Sequence, residues 1–425
     1  MITLSAKEFN SLVEGFKKFI KDKKYAPANK IAFSVKAGVF QAKAHTSPVT
    51  GLSQELAFTL SPCSGTSDVE TFWIGIDELV SLGKVKETVS LKPAEVPEIT
   101  IGSLQRKFTL WDDKAQEWPD LPGFNRAKPE SAIPFAELGQ VIARCAPYVG
   151  DISSPLGCQA VFLDKANKRV SATNGCILIA QPLTSELPFK MLVPPTPILV
   201  SGLLDKGIVW PLFFHPHDKN EKHRREDYEN YKNDPSRCDY GSQYLRVDCA
   251  PWNYEVQAVS AKAPDMCKVE DATPAEDLCT VDFSDDDVKL VKEAAKMGRE
   301  AEPCFHLGVS DGHLSLGLVK YHENVGTLVL PGSVVSHPEL FPASFGLFIR
   351  WFLLALDSGF RRLDLRITAA QQARKEEEER AAYNVKPLEP GWKFRGPMPM
   401  TAKNSKTVLW SGNKYGGKAI TLPMR

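Results

Sequence analysis

The sequence predicts an α+β fold built three times over, each copy carrying two helices packed on antiparallel sheets. Three observations predict it. An order of helix, strands, helix, strands recurs along the chain. The 425 residues divide into three portions of roughly 140 each, a common domain size. The first two portions close on similar segments, Trp118-Pro-Asp-Leu and Ala263-Pro-Asp-Met. A long-period repeat of this kind implies a modular or ring architecture. The portions are 1–124, 125–268 and 269–425.

The first portion opens on a helix. Ser5 followed by Glu8 forms a capping box, and Phe9, Leu12, Val13, Phe16 and Ile20 recur at helical spacing. Alternating strands follow at Ile31–Val35, Val39–Ala44 and Glu55–Leu60, then a short helix over Ile76–Leu82. Further strands are predicted at Val89–Leu91, Ile99–Ile101 and Phe108–Trp111.

In the second portion Ile133–Cys145 reads as a helix with Pro134 in its first turn. Strands are predicted at Ala160–Leu163, Arg169–Thr173, Ile208–Phe214 and Gln243–Val247, with a second apolar helix near Ile198–Leu204. In the third, Ser284 and Asp287 mark a helix start before Val288–Met297. Strands follow at Cys304–Val309, His313–Leu318 and Thr327–Leu330, then a helix over Phe345–Leu356 and strands at Leu363–Ile367 and Ala419–Leu422. Two stretches read as insertions. His217–Tyr240 is highly charged and almost free of aliphatics, hence a solvated loop. Ala369–Tyr383 reads as an exposed helix, with a Pro/Gly-rich loop from Pro387 to Pro399.

Composition narrows the function classes. Lys plus Arg and Asp plus Glu both number 52, so the chain does not grip nucleic acid over its whole surface, although a local basic stripe remains open. Nine scattered cysteines without a Cys-x-x-Cys pair argue against a disulfide framework or zinc ribbon and fit a reducing cytoplasm. The N-terminus lacks a signal-peptide pattern and no apolar run is long enough to span a bilayer, so no membrane partner is expected.

Three places resemble the bacterial sliding clamp family, the beta subunits of DNA polymerase III. Ser171-Ala-Thr-Asn-Gly-Cys-Ile-Leu-Ile-Ala resembles that family's Ala-Thr-Asp-Gly-His-Arg-Leu-Ala signature. The terminal Leu422-Pro-Met-Arg resembles its Met-Pro-Met-Arg-Leu end, and the two Pro-Asp segments resemble its Phe-Pro-Asp closures. The matches fall in order over essentially the whole chain. The resemblance implies a non-enzymatic ring, closed by two copies of the chain, that encircles double-stranded DNA and tethers DNA polymerase and other replication and repair proteins. The clamp loader is a further implied partner, and no cofactor or metal is implied.

Carried over by position, a peptide-binding pocket would contain Leu156, Thr173, Gly175, Leu178, Val269, Leu422, Pro423, Met424 and Arg425. An apolar slot with a flexible Met wall and a tight glycine turn at its lip suits Leu and Phe anchors. The plainer reading is that Thr173-Asn-Gly is a strand-ending turn and that Leu156 and Leu178 are core. Asn174, Cys176 and Ile177 replace the family's Asp, His and Arg, and a final Leu is lacking, which implies a more apolar pocket. Helix-spaced basic and polar residues are the candidates for facing DNA: Lys17, Lys18, Lys21 and Lys24, then Gln140 and Arg144, then Lys289, Lys292 and Lys296. Each stripe alone also reads as a solvated helix face. In the resembling family such helices line the ring's hole, where phosphate contacts are weak and carry no base readout. Ser153-Ser-Pro stands where that family has a DNA-contacting aromatic pair.

Catalytic patterns are not evident. Gly412 to Lys418 nearly spells a phosphate-binding loop, but Ala419 replaces the metal-binding hydroxyl and no helix is expected to follow. His215, His217 and His223 sit in the charged loop, and Asp285–Asp287 and Glu376–Glu379 read as solvated acidic surface. The competing reading is a multidomain β-rich enzyme or a phage structural protein with an accidental resemblance.

Overall fold

The structure is a computed structural model. It describes residues 2–20, 30–36, 38–46, 54–61, 68–92, 97–108, 132–151, 153–214, 242–264, 279–297, 304–320, 323–341, 345–366 and 407–421. Both predicted insertions, the Trp118–Leu121 segment, Val269 and Leu422–Arg425 lie outside these residues. The chain forms two units. The first holds residues 1–146, 155–170 and 183–263, and the second 147–154, 171–182 and 264–425.

Helix Ala6–Ile20 begins the first unit. Its capping box is reciprocal: the Glu8 amide donates to Ser5 Oγ at 3.3 Å and the Ser5 amide to Glu8 Oε2 at 2.8 Å. Phe9, Leu12, Val13, Phe16 and Phe19 form its buried face. An eight-stranded antiparallel sheet runs in the order Asp68–Gly75, Lys30–Lys36, Val39–Thr46, Gln54–Leu60, Trp252–Gln257, Ser242–Cys249, Ile208–Phe214, Ile133–Pro134. Strands from the chain's first and middle portions therefore share one ladder, joined where Trp252 opposes Phe58 and Tyr254 opposes Leu56. Those four side chains are buried, with the Phe58 and Trp252 rings 4.9 Å apart, edge to face. A four-stranded sheet of Ile2–Leu4, Val89–Lys92, Glu98–Ile101 and Leu104–Lys107 completes the unit's larger β structure. Val161–Asp164 pairs with Met191–Val193.

The second unit contains six antiparallel neighbours in the order Ile177–Pro182, Lys418–Thr421, Thr407–Ser411, Arg362–Arg366, Cys279–Asp282, Val334–Ser336. A separate four-stranded sheet is ordered Glu323–Val329, His313–Lys320, Cys304–Ser310, Phe345–Phe348. Helix Asp285–Met297 starts on a second capping box. The Asp287 amide donates to Ser284 Oγ at 3.1 Å, and the Ser284 amide returns to Asp287 Oδ2 at 2.9 Å. Phe352 of helix Ile349–Asp357 centres an aromatic core with Phe283, Phe305 and Trp410, at ring separations of 5.2–5.8 Å.

Several expectations are corrected. Ile198–Leu204 is a series of turns, not a helix. Pro194, Pro195 and Pro197 precede it without amide donors, Ser201 Oγ donates back to the Ile198 carbonyl at 2.9 Å, and Gly202 takes φ +75°. The Phe345–Leu356 run divides into strand Phe345–Phe348 and helix Ile349–Asp357. Pro134 caps helix Phe135–Cys145 from outside and belongs to an edge strand, where its missing N–H costs no ladder bond. A strand that was not expected lies at Leu104–Lys107, with Phe108 after it outside any strand; the rest of the strand expected at Phe108–Trp111 lies outside the described residues.

Candidate functional site

The signature segment folds as a hairpin turn closed by side chains. Thr173 Oγ1 donates to the Ile177 carbonyl at 2.8 Å and accepts from the Gly175 amide at 3.0 Å. Asn174 Oδ1 accepts from the amides of Cys176 and Ile177 at 2.9 and 3.0 Å. Gly175 takes φ +93° with open space around the Cβ position, so the positive φ, not a close neighbour, requires glycine. Sequence reasoning noted the turn and missed that Thr173 and Asn174 build it, although Asn-Gly is a turn signal.

Past the turn, strand Ile177–Pro182 pairs with the last described strand: Ile177 opposes Thr421 and Leu178 opposes Ile420. Leu178, 4% exposed, packs with Ala180 in a small apolar cluster separate from the main core. Thr421 is 1% exposed and accepts a hydrogen bond from Trp410 Nε1 at 3.0 Å. Thr173, Gly175 and Leu178 are thus brought to the end of the strand from which Leu422–Arg425 continue. Leu156, in the short turn Leu156–Cys158 of the first unit, is 60% exposed and so is not the core residue of the plainer reading.

The basic stripes are partly as expected. Lys289, Lys292 and Lys296 are all exposed on helix Asp285–Met297, opposite buried Val288, Val291, Ala294 and Ala295. Two of them have acidic partners. Lys289 Nζ lies 2.7 Å from Asp286 Oδ1, and Lys292 Nζ lies 2.6 Å from Asp357 Oδ1. The hydrogen bond and charge of Asp286 push the Lys289 amine above its usual pKa, so it stays charged. In the first unit Lys17 and Gln140 are exposed, and Lys18 and Arg144 half-buried. Lys21 and Lys24 are outside the described residues.

No family model and no curated protein matches the sequence. Solved structures do match. A DNA polymerase sliding clamp from Pseudomonas aeruginosa aligns over 100% of this chain and 99% of its own, with TM-score 0.66 and 11% identity. The DNA polymerase III beta subunit of Thermotoga maritima aligns over the same shares with TM-score 0.66 and 12% identity. The Helicobacter pylori beta clamp bound to a DNA ligase peptide aligns over the same shares with TM-score 0.59 and 14% identity.

The fold is that of the bacterial sliding clamps.

Within this clamp fold the near-phosphate-loop is a β-hairpin. Asn413 Oδ1 accepts from the amides of Tyr415 and Gly417 at 3.2 and 2.9 Å, so the amides a phosphate would need are already engaged. The acidic triplet has three separate duties. Asp285 pairs with Arg361 at 2.9 Å and Asp286 with Lys289, while Asp287 caps its helix and accepts from the Gly332 amide at 3.0 Å. Asp287 is buried, which corrects its reading as solvated surface. In the loop where clamps were expected to carry an aromatic pair, Ser153 and Ser154 hydroxyls donate to Asp151 Oδ1 at 2.6 and 3.4 Å. These bonds hold the Asp151 carboxyl below its usual pKa. The described residues contain no helix long and apolar enough to cross a membrane.

Proposed function

We propose that this protein is a DNA polymerase processivity factor, a sliding clamp. The observation that carries the reading is a structural alignment spanning the whole of this chain and nearly the whole of each clamp. Three domains, 1–124, 125–268 and 269–425, would form half of a ring, and two chains would close it head to tail. Exposed sheet edges would thereby be removed. Duplex DNA would pass through the hole, centred weakly by Lys17, Lys18, Lys21, Lys24, Gln140, Arg144, Lys289, Lys292 and Lys296. Retention would come from topology, so the contacts need no sequence preference and the chain needs no net positive charge.

Polymerase, clamp loader and other replication proteins would dock through a short peptide. The Thr173–Ile177 turn, Leu178, Leu156, Val269 and Leu422–Arg425 would form its pocket. Supporting this is the pairing of Thr421 with Ile177, which starts the terminal four residues beside the turn. That the Helicobacter pylori clamp binds a ligase peptide is consistent with the same use.

The test is retention on DNA. The protein, loaded on nicked circular DNA, should remain bound through gel filtration in high salt and be released when the circle is cut. Sedimentation should give a dimer of two 47.1 kDa chains. A monomer that dissociates equally fast from circular and linear DNA would overturn the proposal.

A further inference from the structure

We infer that the hairpin tip between Thr407–Ser411 and Lys418–Thr421 is a contact site for single-stranded DNA, with Tyr415 stacking on a base and Lys414 and Lys418 meeting phosphates. The inference does not rest on ring closure or on the peptide pocket. Tyr415 is 42% exposed, unusual for a large aromatic side chain among the described residues. Lys414 Nζ sits 5.0 Å from the centre of its ring, and Lys418 begins the returning strand. Both lysines are exposed and, among the described residues, neither has an ion-pair partner. From Ser411 to Arg425 the sequence has no acidic residue. Lys289 and Lys292, by contrast, each face an aspartate.

The tip is held in shape before any ligand arrives. Asn413 is buried, and its Oδ1 fixes the Tyr415 and Gly417 amides. Gly412 and Gly416 supply the positive φ angles, +75° and +69°, that reverse the chain on either side. Little ordering entropy is therefore lost when Tyr415 is used. An exposed ring flanked by cations is the pattern that binds unpaired bases: every base offers a stacking face, and the phosphates follow the lysines. Paired bases keep their faces hidden in the duplex, so duplex DNA can use only the lysines.

Fluorescence anisotropy with labelled oligo(dT) of about 20 nucleotides, titrated with the full chain at low salt, tests it. Tyr415→Ala should weaken binding about fivefold or more, while Tyr415→Phe keeps most of it. Lys414→Gln with Lys418→Gln should lower the slope of log affinity against log salt by about 1 to 1.5. A duplex of equal length should bind independently of Tyr415. The inference is overturned if oligo(dT) does not bind, if Tyr415→Ala leaves its affinity unchanged, or if the duplex is equally sensitive. Displacement by polyglutamate with the same Tyr415 dependence would also overturn it, in favour of an acidic protein partner. Retention on circular DNA, which tests the ring, should be unaffected by Tyr415→Ala, so the two ideas fail separately.

Discussion

Thr421 stands opposite Ile177 in an antiparallel ladder, one residue before the Leu422-Pro-Met-Arg end. Deleting Leu422–Arg425 removes no side chain of the described core. The truncated protein should unfold within about 0.5 kcal/mol of the intact chain. Its affinity for a polymerase-derived peptide should fall more than tenfold, on the order of 2 kcal/mol. Fluorescence polarisation with a labelled peptide checks this, and equal affinity would remove the terminus from the pocket.

The lysine stripe on helix Asp285–Met297 supports two opposite expectations. Lys289→Glu, Lys292→Glu and Lys296→Glu together should weaken retention on circular DNA. Asp286→Asn with Asp357→Asn should strengthen it, because both carboxylates now partner stripe lysines. Half-lives on DNA over a salt series give the answer. No change in either direction would place this helix away from DNA.

Gly15 lies against the indole of Trp252, and a Cβ there would overlap the ring. Gly15→Ala should destabilise the protein by about 1–3 kcal/mol despite alanine's higher helix propensity. Trp252→Phe in the same chain should restore part of the loss. Urea unfolding of the two variants measures both effects.

Glu255 is buried on the sheet face that also carries Arg246 and Glu55. Burial raises its carboxyl pKa, with Glu55 adding to the rise and Arg246 opposing it. A raised folded-state pKa gives a contribution that is fully present below the unfolded value and is lost as pH rises through the folded one. The stability of Glu255→Gln relative to the parent should therefore improve as pH rises above the ordinary carboxylate value of 4.5. A pH-independent difference would mean that Glu255 does not titrate in that range.

Legibility followed locality. Both capping boxes involve residues three apart, and each was readable from sequence alone. Where a run was uniformly apolar, as from Phe345 to Leu356, no period distinguished the strand from the helix that follows. Ile198–Leu204 reads as helical on apolar content alone, and the three prolines before it are the signal that reading left out. The strand Trp252–Gln257 went unread, and its partner Gln54–Leu60 lies nearly 200 residues away, a pairing set by tertiary packing that no local pattern encodes. At the candidate site the lysine spacing was legible, whereas Asp286, three residues from Lys289, reads only as solvated acidic surface. Asp357 reaches Lys292 only through the packing of two helices.

The junction of Gln54–Leu60 with Trp252–Gln257 behaves like a splined shaft. Phe58 and Leu56 mesh with Trp252 and Tyr254 on one face, while Ala57 and Glu55 meet Asn253 and Glu255 on the other. A single-residue insertion in either strand would turn that segment over, putting glutamates where aromatic and aliphatic rings and chains now interlock. Side chains keep their faces at this joint only if the register changes in steps of two residues. The pairing of the chain's first and middle portions is correspondingly a choice between separate registers.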